Sequence, residues 1–344
     1  MSFRSVHTSV RSRGRDGGFA TATQFQQGWR VQSQIGGVWE GDVPVGGRRV
    51  HTLRAGSGPP LILLHGLVGS HRNWYHNIQS LAQSATVYAL DQLNMGESDR
   101  VHGLDAGLLA TADRVTAFMD AVGLETADVA GHSHGGAVSL ALAARHPERV
   151  ARLILFAPAN PFCDLGRRFI GFYGTVPGRM LARVIPSLPR RVQGIALRRM
   201  YGDPARIAGD TLEGYTAGLE LRGTIDHVLA IVRRWSSDME ELRALLPALA
   251  ETPALLIWGD RDRAVGLESA RQLRGVLRRS KLVVLPGVGH IAFEEMPEVC
   301  NRAMLEFLAT PAARSMPVAD GQISASVGGS REQPSSGSLT SPAS

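Results

Sequence analysis

Residues 127–145, ADVAGHSHGGAVSLALAAR, decide the fold. Ala127 to Ala130 is short and mostly apolar, as a buried strand requires, and from His134 to Arg145 the chain is rich in Ala and Leu, as a helix requires. Between them Gly131-His132-Ser133-His134-Gly135 leaves no room for a loop, so Ser133 must sit on a sharp strand-to-helix turn. Such a turn needs a strained backbone at the serine. It also needs glycine at 131 and 135, where a side chain would collide with the neighbouring strand or helix. The serine hydroxyl then projects from the sheet at a helix N-terminus, where free N–H groups and the helix dipole favour developing negative charge.

The same alternation extends in both directions. Two strand-like runs between Val38 and Arg54 flank Gly46-Gly47, a two-residue hairpin signal. Leu61 to Leu64 reads as a buried strand, followed by a helix around Trp74 to Gln83, a strand Thr86 to Leu90 and a helix from about Ala106 to Val122. After the helix ending at Arg145 come a strand Leu153 to Phe156, a long non-alternating segment to about Ser237, and strands Ala254 to Trp258 and Leu282 to Leu285. Strands without polar alternation are covered on both faces. The reading is an α/β protein with a mostly parallel, doubly wound sheet and a helical cap inserted after the sixth strand.

Residues 310–344 are dominated by Ser, Gly, Pro and Ala, and the first 30 residues are polar and rich in Gly and Arg, so both ends are expected to be disordered tails. The folded domain is expected over 31–309, with the cap at about 158–237. Within the cap, residues 167–202 carry eight arginines and no acid, interleaved with apolar side chains, which predicts a basic amphipathic lid. Its simplest role is to cover the pocket with its arginines solvated; the other is transient contact with an anionic membrane surface.

Two cysteines, Cys163 and Cys300, exclude a disulfide framework and a four-cysteine zinc site. No apolar run approaches the ~20 residues that cross a bilayer, so a cytoplasmic protein is expected. The net charge of +6 rests almost entirely on arginine, Lys281 being the only lysine, and it clusters on no nucleic-acid-binding module, so no nucleic-acid partner is expected.

A serine hydroxyl is a poor nucleophile until a base takes its proton, and that base must be held by a third group. Gly259-Asp260-Arg261-Asp262 and Pro286-Gly287-Val288-Gly289-His290 both follow strands of the same sheet, at the ends where α/β sheets place their sites. Asp262 and His290 are therefore the candidate partners of Ser133, with Asp260 a competitor for the acid. His132-x-His134 is better explained as flanking the elbow than as a metal pair, and no metal or organic cofactor is required.

From about residue 38 to 309 the sequence resembles the α/β-hydrolases of the single-domain, lidded kind. The likeness rests on five motifs in order: Leu64-His65-Gly66-Leu67, Asp91 to Ser98, the elbow at Gly131 to Gly135, Trp258 to Asp262, and Gly289-His290. It implies Ser133 as nucleophile, His290 as general base and acid, Asp262 as the residue that orients the histidine, and the backbone N–H groups of Leu67 and His134 as the oxyanion hole. It also implies hydrolysis of a small-molecule ester or related acyl compound, with an apolar portion suggested by the aliphatic cap. The same triad serves carbon–carbon bond hydrolases, cofactor-free perhydrolases and acyltransferases. A non-catalytic relative would lack a triad member, and none is missing.

Overall fold

The computed structural model describes residues 37–163, 167–209 and 211–310. The expected tails, apart from Thr310, lie outside them.

Eight strands form one sheet in the order β1-β2-β4-β3-β5-β6-β7-β8. β1 (Val38–Val45) and β2 (Arg48–Ala55) are an antiparallel hairpin turning at Gly46-Gly47, and β2 runs antiparallel to β4 (Thr86–Leu90). β3 (Pro60–Leu64), β4, β5 (Ala127–His132), β6 (Val150–Phe156), β7 (Ala254–Gly259) and β8 (Ser280–Leu285) are parallel. The chain leaves β3 toward β4 and returns on its other side as β5. Sheets of this kind place their sites at such a reversal, by the C-terminal strand ends, and the loops carrying His65 and Ser133 emerge there.

Each central strand buries both faces. Leu61 and Leu63 join Trp74, Ile154, Phe156 and Phe293 in one core, while Ile62 and Leu64 join Val129, Leu140, Leu155 and Trp258 in the other. Side chains alternate with period two, so two covered faces demand an unbroken apolar run. β8 departs from this: it is the edge strand, and Val284 is exposed.

Helices α1 (Tyr75–Leu81), α2 (Leu108–Ala121) and α3 (Ser133–Arg145) connect the first six strands. Between β6 and β7 lie α4 (Arg167–Gly174), α5 (Val176–Val184), α6 (Arg190–Met200), α7 (Thr211–Glu220) and α8 (Thr224–Leu245). α8 runs unbroken through 237. Its C-terminal half places Leu242 in the main core, so a cap boundary at that residue would cut a single helix. The outer side of α5 leaves Val176, Met180, Leu181 and Val184 exposed beside Arg183, which pairs with Asp226. After β7 come α9 (Leu267–Val276), α10 (Ala292–Glu295) and α11 (Pro297–Ala309). No helix among the described residues is long and apolar enough to cross a membrane.

At the opposite end of the sheet, the Arg152 guanidinium on β6 makes a bidentate pair with Asp128 on β5 at 2.8 and 2.7 Å. It also donates to the carbonyls of Leu308 and Thr310 at the end of α11, at 2.8 and 2.6 Å. Both side chains are buried. Arg152→Met is therefore expected to cost about 3–5 kcal/mol, because it strands the Asp128 carboxylate and the Leu308 and Thr310 carbonyls; urea unfolding measures it.

Candidate active site

Ser133 has φ +51°, the left-handed region, although it carries a side chain. A conformation of this kind costs about 1–3 kcal/mol and persists only where its surroundings enforce it. The enforcement comes from close packing. A Cβ on Gly135 would strike the carbonyls of Leu64 and His65 at the end of β3, and one on Gly131 would strike Ser139 Oγ and the Gly135 carbonyl. α3 thus starts directly against β3 and β5, and Ser133 stands partly exposed at its first position.

The loop after β3 passes over the serine, so that a Cβ on Gly66 would lie 3.3 Å from Ser133 Cβ. His65 fixes this loop from below. Its Nε2 accepts from the Gln92 N–H at 3.0 Å, so its proton is on Nδ1, which donates to the Gly66 carbonyl at 2.8 Å. Burial lowers its pKa, in keeping with a neutral ring. Val68 at φ +64° and a Gly69 N–H to Gly66 carbonyl bond of 3.1 Å close the turn. The Leu67 N–H has no acceptor among the described residues. The His134 N–H lies in the first turn of α3, whose leading donors lack intrahelical partners. Asp91 serves the neighbouring turn, accepting from the N–H groups of His71 and Glu97 at 2.6 Å each.

Asp262 and His290 meet directly. His290 Nδ1 lies 2.8 Å from Asp262 Oδ2, while Asp262 Oδ1 accepts from the N–H groups of Ala264 and Val265 at 2.8 and 2.9 Å. A carboxylate only accepts, so Nδ1 carries the proton and Nε2 of the neutral ring is left with a lone pair. Trp258 Nε1 donates to the Val265 carbonyl at 2.8 Å, tying this loop to β7. Gly266 has φ −63°, a value that a proline would also take. Asp260 is engaged elsewhere, accepting from the Gly287 N–H at 2.7 Å on the exposed side. Ser133 Oγ makes no hydrogen bond among the described residues. The serine adjoins the pair through its neighbour: His132 Nε2 donates to the His290 carbonyl at 3.1 Å, with ring centroids 4.6 Å apart.

Two buried acids that sequence reasoning missed hold His290 in place. Glu294 accepts from Asn73 and Tyr215 on one oxygen, at 3.0 and 2.9 Å, and from Tyr201 on the other at 3.0 Å. Burial and the Glu294 charge push both phenols up, so they remain donors. Glu295 accepts from the N–H groups of Gly289 and Gly202 at 2.8 and 2.9 Å and of Asp203 at 2.9 Å. The His290 N–H in turn donates to the Met200 carbonyl at 2.6 Å. The histidine loop and the end of α6 are therefore one hydrogen-bonded unit. The only sequence signal was a pair of adjacent acids in an otherwise apolar segment, and nothing local names their partners.

The side chain of His134 is 3% exposed, yet neither ring nitrogen has a partner among the described residues. Burial, with the nearby charges of His227, His65 and Arg114, pushes its pKa down to about 3. The unfolded chain takes up this proton near pH 6.5 and the folded chain does not until about pH 3, so acid erodes stability between those values by up to about 1.4 kcal/mol per pH unit. His134→Met should flatten the stability-against-pH curve between pH 6.5 and 4 by up to that slope, read by urea unfolding across the range; an unchanged slope would contradict a buried neutral ring.

Comparison with known proteins agrees with this architecture. A family model described as "alpha/beta hydrolase fold" matches residues 59–297. The chain is 32% identical over 267 residues to the dihydrolipoyllysine-residue acetyltransferase component of the acetoin cleaving system of Pseudomonas putida, covering 77% of this chain and 68% of that one. It is 31% identical over 271 residues to 2-hydroxy-6-oxo-6-phenylhexa-2,4-dienoate hydrolase of Burkholderia cepacia, covering 76% and 91%. The solved structure of the hydrolase of that name from Rhodococcus sp. strain RHA1 superposes with a TM-score of 0.66 at 23% identity over 79% of this chain and 99% of the other, a likeness of fold. With its matched core, its strand order and the elbow at Ser133, the chain belongs to the α/β-hydrolase family.

Proposed function

We propose that this α/β-hydrolase is a serine hydrolase that cleaves a carboxylic ester or related acyl compound through an acyl-enzyme. The observation that carries the reading is the 2.8 Å bond from His290 to Asp262, with His132 bonded to the His290 carbonyl and the next residue, Ser133, held at φ +51°. Ser133 Oγ attacks the carbonyl carbon while His290 Nε2 takes its proton. Asp262 keeps the ring in the required tautomer and stabilises the imidazolium. The oxyanion faces the Leu67 and His134 N–H groups, each donor worth ~10²–10³ in rate. His290 then protonates the leaving group, and the C–O bond breaks to leave the acyl-Ser133 ester. Water, deprotonated by the same histidine, releases the acid and restores the serine. An acceptor other than water would make the same intermediate a transferase step.

A second reading, hydrolysis of a carbon–carbon bond next to a ketone, is favoured by a separate observation. The relatives named dienoate hydrolases act, by name, on a carboxylate. Beside His134 in this chain stand His227 on α8 and Arg114 on α2, whose charges its ring feels. Arg100, whose charge His227 feels, completes the group. Neither arginine forms an ion pair among the described residues: Arg114 donates to Thr111 Oγ1 at 2.7 Å, and Arg100 to the carbonyls of Gly96, Ser98 and Met95. Half-buried cations with no carboxylate in ion-pair contact suit a substrate that brings one.

Labelling with a fluorophosphonate probe should occur in the wild type and vanish in Ser133→Ala. Asp262→Asn should lower kcat on p-nitrophenyl esters by about 10⁴, with Asp260→Asn close to wild type. The reverse ranking, or absence of labelling in folded protein, would overturn the proposal. Arg114→Met separates the two substrate classes. It should raise KM for a dienoate substrate by about 10–100-fold, the worth of a hydrogen bond to a charged group, while leaving neutral esters nearly unaffected.

A further inference from the structure

Four residues that the proposed chemistry does not use converge at the antiparallel edge of the sheet: Glu40 on β1, His51 on β2, His71 in the 3₁₀ turn His71–Trp74, and Glu97 in the turn after β4. One ligand atom from each lies within 4.8 Å of all the others. His51 Nε2 is 3.0 Å from Glu40 Oε1 and 3.8 Å from Glu97 Oε2, and His71 Nε2 is 3.3 Å from the same Glu40 oxygen. A tetrahedral zinc ion with bonds of about 2.0–2.1 Å holds its ligands about 3.3 Å apart, which these separations bracket.

The far nitrogens of both rings are anchored as metal-bound imidazoles require. His51 Nδ1 lies 3.0 Å from Asp42 Oδ1, and His71 Nδ1 lies 2.9 Å from Asp91 Oδ1. Each carboxylate accepts an Nδ1 proton, so that loss of the Nε2 proton turns a lone pair toward the shared centre. Arg72 donates to Glu97 Oε1 at 2.8 Å, leaving Oε2 to face His51. Tyr75 Oη, 3.3 Å from His71 Nε2, closes one side. His71 is fully buried, whereas the Glu97 side chain is 47% exposed and offers an entry path. Two imidazoles favour a transition metal over calcium or magnesium, and two carboxylates balance a 2+ charge.

We propose that Glu40, His51, His71 and Glu97 bind one divalent transition-metal ion, zinc by preference, that braces the loop over Ser133. The turn starting at Ser70 follows directly on the loop carrying Leu67, so a metal here would join that loop to β1, β2 and the Asp91–Ser98 turn. Four protein ligands make it a structural site. The competing state is metal-free, with protons in place of the ion. In it burial opposes charging, but the hydrogen bonds to Asp42 and Glu40 and the charge of Asp91 hold His51 and His71 protonated, up to about 10 and 9. Metal binding must displace those protons.

The test uses full-length, untagged protein stripped with chelator, then titrated with Zn²⁺ by calorimetry and with Co²⁺ by visible absorption. The expected result is one ion per chain, the absorption of four-coordinate Co²⁺, and a Tm that rises with added zinc. Glu97→Gln alters the exposed ligand and should leave folding intact while weakening zinc binding at least tenfold; Glu40→Gln should act likewise. Circular dichroism verifies that each variant is folded. Wild-type protein that takes up no stoichiometric zinc and melts identically with and without it would establish the proton-only network. Equal zinc affinity in folded Glu97→Gln and Glu40→Gln would place the metal elsewhere and overturn the assignment.

Discussion

The site depends on one backbone conformation, the left-handed turn at Ser133. A strand that must become a helix within a single residue can do so only there, and only if nothing larger than hydrogen occupies positions 131 and 135. Once that turn is made, α3 starts against the end of β3 and the serine stands at its first position, next to the loop through Gly66. The strain is carried by the surrounding core, where Ala137, Val138 and Leu140 are fully buried against the sheet.

Parallel strands supply the second constraint. Because β3, β5, β7 and β8 run parallel and end at the same edge, loops separated by more than two hundred residues arrive at one end of the sheet. Residues far apart in the chain need no long excursions to meet; the acid and the histidine each sit within a few residues of a strand end. Buried carboxylates then lock the loops. Asp262 satisfies two N–H groups as well as the imidazole, Glu295 binds Gly289 and the cap at once, and Asp91 organises the turn that follows β4. Such groups are costly to bury alone and are stable only because every oxygen is matched by donors.

The segment between β6 and β7 is tied by hydrogen bonds to the loop and helix that follow β8. Met200 and Gly202 bond to the histidine loop, and Tyr201 and Tyr215 meet on Glu294. Displacing this end of α6 would leave two buried acids short of donors, so the segment around Tyr201 supports the loop that carries His290. The eight arginines between 167 and 202 gave no hint of this coupling. Its donors are backbone N–H groups and tyrosine hydroxyls on other elements.

What the sequence by itself determined is whatever is encoded in a few neighbouring residues. The apolar runs without alternation set a sheet covered on both faces, and the glycine spacing around Ser133 set the elbow. Motif order selected Asp262 and His290 as candidates, although Asp260 stood two residues away. Only the tertiary structure separated those two acids, by turning one toward the imidazole and the other toward the Gly287 N–H. Only it assembled Glu294 with its tyrosines, Glu295 with the N–H groups of Gly202, Asp203 and Gly289, and Glu40, His51, His71 and Glu97 around one point. The physical reason is common to all three. A polar side chain is stable in a folded interior only through partners brought from elsewhere in the chain, and no local pattern of residues records which partners those will be.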